Sequence, residues 1–355
     1  MSNQGVGFGG FLLGLGIGWY IFRLVEVSID IISWILIIIG AGMVINAVLT
    51  RGGRHSPIRG LVSGFAGGLV LALFLTQGFA LIETITDEVS NPSNYKATET
   101  RSLTGAVTQS KLSLIVNDKN GGITLETWDN PGYSIDLTLR AKGATTQDAE
   151  RNLENLNVMF TDTVSADTQK LDLDFQTPSN IWSNYLVVVD AKIPKNVLVV
   201  MDLDTSNGEI TLTNVNSTNI VLHTSNGRLN LENIYCDTLQ GDTSNGQVSG
   251  LVDGVSVDLS TSNGSIDITV PATRNGTYTL DTSNGAVSVS ATTTSQTGYD
   301  VDLSTSLGSI NVNLQSMSYT TNESRRKVGE TTDYADKPIQ IQIKAQTSIG
   351  SININ

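Results

Sequence analysis

The residue types that most often carry chemistry are sparse in this chain. There are two histidines, His55 and His223, and a single cysteine, Cys236. Between 205 and 313 the only glutamates are Glu209 and Glu232, and the only bases are Arg228 and Arg274. Acyl transfer needs a nucleophile beside a base, and glycoside cleavage needs paired carboxylates. No spacing here supplies either, so no catalytic and no cofactor-binding residues are expected. A carbohydrate-active enzyme remains a remote alternative, which would require a cleft with clustered carboxylates. Calcium-binding β-repeats need aligned Asp in Gly-rich turns. Asp204, Asp242 and Asp281 precede the repeat Thr in only three copies, so no metal is expected. A lone Cys cannot form an intramolecular disulfide, and Cys236 reads as a small core residue. His223 reads as solvent-facing.

What the chain offers instead is a repeat. Thr-Ser-Asn-Gly occurs at 205–208, 224–227, 243–246, 261–264 and 282–285. Degenerate copies follow at Thr305-Ser-Leu307-Gly308 and Thr347-Ser-Ile349-Gly350. The starts lie 19, 19, 18, 21, 23 and 42 residues apart. Apolar residues stand four and two before most Thr (Ile220/Leu222, Val257/Leu259) and two and four after the Gly (Leu229/Leu231, Ile266/Ile268). A period near 20 built from strands is the signature of a solenoid. Strand alternation then points the leading apolar pair, the Thr and the Asn inward, with a phase shift at Gly. On this reading Asn207, Asn226, Asn245, Asn263 and Asn284 form an interior hydrogen-bonded ladder, and Leu307 and Ile349 are its apolar replacements. The competing reading makes each Asn-Gly a hairpin turn with outward Asn and antiparallel strands.

The elements that hold the repeat follow from patterning. Period-two runs at 112–116, 123–128, 133–139, 171–175, 185–189 and 191–194 read as strands. One helix interrupts them, capped by Thr145 or Thr146, with Ala149, Leu153 and Leu156 on one face. The fold class is therefore all-β: a single-stranded β-helix over 105–355 with one short helix. Residues 84–104, containing Asn91-Pro92-Ser93-Asn94, read as an extended linker.

Residues 1–83 are different. They hold four Arg, three acidic residues and no Lys, whereas 84–355 hold 17 basic and 31 acidic residues, a net of −14. That acidity argues against a nucleic-acid partner. Three apolar segments, 6–22, 31–50 and 61–82, read as transmembrane helices, the first being short and Gly-rich. The basic loop Arg51–Arg59, which contains His55, belongs on the cytoplasmic side. The N-terminus is then cytoplasmic and everything after about 83 is extracellular, a multi-pass plasma-membrane topology. Gly10, Gly14 and Gly18, with Gly40, and Gly64 with Gly68, carry small-residue spacing suited to close helix packing, a homo-oligomer contact being one version.

The Asn120-Gly-Gly-Ile-Thr-Leu strand, the intervening helix, Ile193-Pro194 and the Asn-Gly-x-Φ-x-Φ units together resemble the adhesin-like (DUF4097-type) domains of bacterial and archaeal surface proteins. The resemblance covers about 105–355. It implies a right-handed β-helix and supplies no catalytic residues. The membrane segment is loosely similar to the small hydrophobic modules of envelope-stress regulators.

The functional expectation is a non-enzymatic, membrane-anchored surface protein, adhesin-like or a scaffold. It would bind a surface glycan, an envelope polymer or another membrane protein, besides the lipid bilayer. The alternative is an envelope-stress sensor acting through its membrane helices. Arg325-Arg326-Lys327 reads as an exposed loop. Of four Asn-x-Ser/Thr sequons, Asn216, Asn275 and Asn322 are the glycosylation candidates, and Asn263 is expected to be protected by its inward position.

Overall fold

The computed structural model describes residues 3–24, Phe65 and 95–355. The chain divides into two compact units, Met1–Asn94 and Tyr95–Asn355. In the first, α1 (Asn3–Leu24) is one continuous helix. Among the described residues no helix is long and apolar enough to cross a membrane. The expected span 6–22 lies on α1, where seven glycines dilute the apolar character. The expected spans 31–50 and 61–82 lie outside the described residues, Phe65 apart. A Cβ on Gly14 would fall 2.0 Å from the Phe65 carbonyl oxygen, so α1 and the backbone at Phe65 are in direct contact.

The second unit is built on parallel pairing of strands 18 to 21 residues apart through most of the repeat. The strands leading into the Thr-Ser-Asn-Gly copies stack in register. They are β8 (Leu198–Thr205), β10 (Asn216–Thr224), β11 (Leu229–Thr243), β12 (Val248–Asn263) and β14 (Gly276–Asn284). Thr205 pairs with Thr224, Thr224 with Thr243, Thr243 with Thr261 and Thr261 with Thr282. The strands leaving the copies form a second stack: β9 (Ile210–Thr213), the first residues of β11 and β12, β13 (Ile266–Val270) and β15 (Val287–Ala291). Hairpin turns would give antiparallel neighbours, so the parallel register rejects that reading. Leu203, Leu222, Leu259 and Leu280 from the first stack meet Leu212, Leu231, Ile268 and Val289 from the second in one fully buried core.

Both ends depart from simple stacking. β2 (Lys111–Asn117) lies between β6 (Thr168–Gln176) and β8, parallel to both. In the second stack β3 (Ile123–Trp128) pairs with β9 and with β7 (Tyr185–Pro194). Beyond β7 the pairing turns antiparallel, through β4 (Gly132–Ala141) to β1 (Ala97–Ala106). The second half of the expected linker 84–104 is thus an edge strand. Its polar Thr-Glu-Thr-Arg-Ser run suits a strand with one partner and little burial. β5 (Asn157–Ser165), with its largely exposed pattern, caps β6 in the same way.

At the other end chain order and spatial order differ. β16 (Thr297–Leu307) does not stack on β14. The C-terminal β20 (Ile339–Ile349) is inserted between them, parallel to both. β21 (Ile352–Ile354) likewise separates β15 from β17 (Ile310–Val312). The 42-residue spacing of the last two copies makes room for β18 (Met317–Asn322) and β19 (Arg326–Thr331), an antiparallel pair laid along the free edge of β16. Arg326 and Lys327 are therefore strand residues and not an exposed loop. Arg326 is ion-paired with Asp302, and Lys327 donates to the Asn322 Oδ1. The helix α2 (Thr146–Glu154) has Thr145 as N-cap in a capping box with Asp148 and buries Ala149 and Leu153.

Candidate functional site

Each repeat copy makes one corner of the solenoid, and the four motif residues divide its work. The Thr side chains are buried. Thr205, Thr224, Thr243, Thr261 and Thr282 donate from Oγ1 to the carbonyls of Gly121, Gly208, Gly227, Gly246 and Gly264 in the adjacent coil, at 2.8–2.9 Å. Thr347 and Thr305 do the same to Gly285 and Gly350, at 2.9 Å. The Gly is required by proximity. A Cβ at Gly227 or Gly246 would sit 1.7 Å from the carbonyl oxygen of the preceding coil's Gly.

The Asn side chains face solvent. Asn207, Asn226, Asn245, Asn263 and Asn284 are all exposed, which corrects their interior placement. So are Leu307 (58 %) and Ile349 (53 %), so their apolar character does not report an interior position. After the buried Thr the Ser and the Asn both lie in or near solvent, even where the strand continues to the Asn as in β12 and β14, so period-two alternation of burial stops at the Thr. The side chains nevertheless join across coils. The Nδ2 of Asn226, Asn245, Asn263 and Asn284 donates to the Oδ1 of the preceding Asn at 2.8–2.9 Å. Asn263 is exposed rather than shielded, but its amide is used in this row. A shorter row at the opposite corner joins Asn233 to Asn214 at 2.8 Å, both with positive φ.

A further copy, the first along the chain, lacks the Thr-Ser-Asn-Gly signature. Asp118-Lys119-Asn120-Gly121 occupies the corner preceding Thr205, with Asn120 bridged to Asn207. Leu114/Val116 before it and Ile123/Leu125 after it carry the flanking pattern, which was the available signal. Asp in place of Thr hid it.

The other singled-out residues lie apart from one another. Cys236 is fully buried, and burial pushes its thiol up to about 12. His223 is exposed, and His55 lies outside the described residues. Arg274 ties three coils together. It stacks on Tyr235 at 3.7 Å, pairs with Asp253 at 3.4 Å and Asp237 at 3.3 Å, and donates to the Asp253 carbonyl. Asn216, Asn275 and Asn322 are exposed; the Asn275 Oδ1 accepts from the Gln340 amide and the Asn322 Oδ1 from Lys327. Among the described residues no group of His, Cys, Asp or Glu could hold a metal ion.

A cleft of about 650 Å³ opens at the far end of the solenoid, between the loop entering β16 and the ends of the β18–β19 pair. Its floor is Tyr299 and Leu314, and its walls carry Thr293, Ser295, Ser316 and Thr332, with Asp333 and Lys337 at the rim. Tyr299 anchors the floor by donating its hydroxyl to the Thr292 carbonyl, and its own amide donates to Thr331 Oγ1. Lys337 Nζ donates to the Ser295 carbonyl. Ser316 and Asp333 both have positive φ (58° and 60°), a conformation that non-Gly residues adopt at a cost. The arrangement offers hydroxyls, one carboxylate and one ammonium over an apolar floor, which suits binding of a polar, polyhydroxylated molecule. None of these residues stood out in the sequence, because they come from three separate loops.

Stacked Thr and Asn corners on a parallel two-faced solenoid define a class of repetitive β protein. The chain belongs to the family described as Toastrack DUF4097, whose model matches residues 92–355. Among solved structures it is similar to a candidate cell adhesion protein from Clostridium sporogenes, at 10 % identity and a TM-score of 0.34. That likeness covers 72 % of this chain and 99 % of the other. It is also similar to a candidate adhesin from Bacteroides fragilis, at 12 % identity and a TM-score of 0.35, covering 74 % and 99 %. A search of curated proteins returned no match.

Proposed function

We propose that this chain is a non-enzymatic surface protein, anchored in the membrane by residues 1–83 with its N-terminus cytoplasmic. Its solenoid, right-handed as the family resemblance implies, would hold out a binding cleft for a surface glycan or envelope polymer. The observation that carries this reading is the placement of the cleft. The chain enters the second unit at β1, and the second stack runs β1, β4, β7, β3, β9, β11, β12, β13, β15, β21, β17. Ten spacings of about 4.8 Å put the cleft end roughly 50 Å from the entry end. Anchoring draws support from α1, which leaves Phe8, Leu12, Leu13, Ile17 and Tyr20 exposed. Such an apolar surface is costly in water and is satisfied by lipid. The net −14 of 84–355 keeps such a domain soluble beside an anionic surface.

Within the cleft, the side chains of Thr293, Ser295, Ser316 and Asp333 have no hydrogen-bond partner among the described residues, leaving them free for ligand hydroxyls. The test is a glycan array probed with the full-length protein in nanodiscs. Saturable binding to a polysaccharide, lost in Thr293→Trp and weakened in Asp333→Asn, supports the reading. Binding that ignores both substitutions removes it.

A second reading, an envelope sensor acting through its helices, draws on the backbone contact between Gly14 and Phe65, a close packing that a ligand could bias. Pull-down from crosslinked membranes separates the two. If residues 84–355 alone retain every partner of the full chain, signalling through the membrane segment is excluded.

A further inference from the structure

At six consecutive corners in space, from Thr205 to Thr347, the interior position holds a Thr whose hydroxyl donates to a carbonyl of the neighbouring coil. At the first corner that position is Asp118, which is completely buried. Its Oδ1 accepts from the amides of Lys119 (2.7 Å) and Asn120 (3.2 Å). Its Oδ2 is buried with no hydrogen-bond partner.

The place of that Oδ2 is informative. A Cβ on Gly121 would lie 3.0 Å from Asp118 Oδ2. A Cβ on Gly246 or Gly264 would lie the same 3.0 Å from its own coil's Thr Oγ1. The carbonyl that a Cβ on Gly121 would strike, at 1.5 Å, belongs to Val187 of β7. In the later coils the carbonyl struck is the one that the Thr hydroxyl donates to. Asp118 Oδ2 therefore stands where a donor is needed, facing an acceptor. An ionised carboxylate can only accept hydrogen bonds, whereas a neutral one carries an O–H.

We propose that Asp118 is a proton-dependent latch: the neutral carboxyl donates Oδ2–H to the Val187 carbonyl and ties the first corner to β7, and loss of the proton releases that tie. The site lies where the antiparallel strands β1, β4 and β7 join the parallel stack, so the latch sets how firmly that cap is held.

The charged groups facing Asp118 are few. Its own turn supplies Lys119, and β8 supplies Asp204, which is paired with Lys119 at 3.3 Å. β6 places Asp174 in register with Asn117, one residue away. β7 faces it with the Val187 carbonyl and holds the buried Tyr185 near the same turn. Burial raises the Asp118 carboxyl from 3.8 to about 7, the two amides and Lys119 oppose the shift, and Asp204 adds to it. The sign follows directly. Between these values the folded chain keeps a proton that the unfolded chain releases, so folding weakens as pH rises. One proton corresponds to about a tenfold fall in the folding equilibrium per pH unit. The effect is complete above about pH 8 and absent below about pH 4.

The test follows unfolding of the full chain in nanodiscs from about pH 4 to about pH 9, with infrared detection of a protonated-carboxyl C=O stretch. The expected result is a stretch present near pH 5, lost by about pH 9 and missing in Asp118→Asn. Asp118→Asn, whose Nδ2 can donate as the neutral acid does, and Asp118→Thr, which restores the motif, are both expected to be more stable than wild type at about pH 8. Both are also expected to lose the tenfold-per-unit slope. A wild-type stretch unchanged by Asp118→Asn, an unchanged slope in either variant, or lower stability of Asp118→Asn at about pH 8 would overturn the latch.

Discussion

At the residue scale, each member of the Thr-Ser-Asn-Gly motif has a different tolerance. Thr243 is buried with its hydroxyl committed to the Gly227 carbonyl. Thr243→Val keeps the shape and leaves that carbonyl unpaired, at a cost of about 1–3 kcal/mol. Gly246→Ala is expected to be worse, about 3 kcal/mol or more, because the new Cβ meets rigid backbone at 1.7 Å. Asn245→Leu is expected to cost under about 1 kcal/mol, since the side chain is exposed and water can replace its partners. Chemical denaturation of the three variants checks the order. The sequence revealed the inward Thr because the apolar pair before it fixes the phase. The outward Asn breaks the expected alternation because Ser and Asn both face solvent at the corner, where no second layer covers either side chain. Leu307 and Ile349 misled for a related reason: an exposed corner accepts Leu as readily as an interior does.

At the element scale, the same sequence was legible where a local rule sufficed and opaque where partners decided. The helix at 146–154 is legible from a capping Thr145 or Thr146 and the Ala149/Leu153/Leu156 face; the structure settles the cap on Thr145, and Thr145→Ala is expected to cost about 1 kcal/mol in thermal unfolding. β1 and β5 were missed because each pairs on one side only and leaves most side chains in or near solvent. The insertion of β20 could not be read at all. Thr305 and Thr347 carry equivalent motifs, and nothing local says which of them stacks on Thr282. Hydrogen exchange distinguishes the outcomes. Amides of 341–347 are expected to exchange as slowly as those of 278–282, although they lie near the C-terminus. Rapid exchange there would place β20 at a sheet edge.

At the scale of the whole molecule, a long solenoid separates the point where the chain enters the second unit from the cleft at its far end. Parallel backbone pairing ties the coils along the axis, with Thr hydroxyls added from Thr205 onward and Asn side chains joined from Asn207 to Asn284. The acidic outer face adds mutual repulsion: partial burial and then the charge of Asp242 raise Asp258, and partial burial and then Asp258 raise Asp281. The sequence conveyed the rod and its acidity, and it conveyed nothing of the cleft, which exists only because β20 returns and leaves 293–297, 314–316 and 331–337 side by side. On the proposed function this end binds a polyhydroxylated polymer. Calorimetric titration of the full-length protein in nanodiscs with soluble envelope polysaccharide tests it most directly. Saturable binding is expected, falling at least tenfold in Thr293→Trp and unchanged in Asn245→Leu. Equal binding by wild type and Thr293→Trp would contradict it.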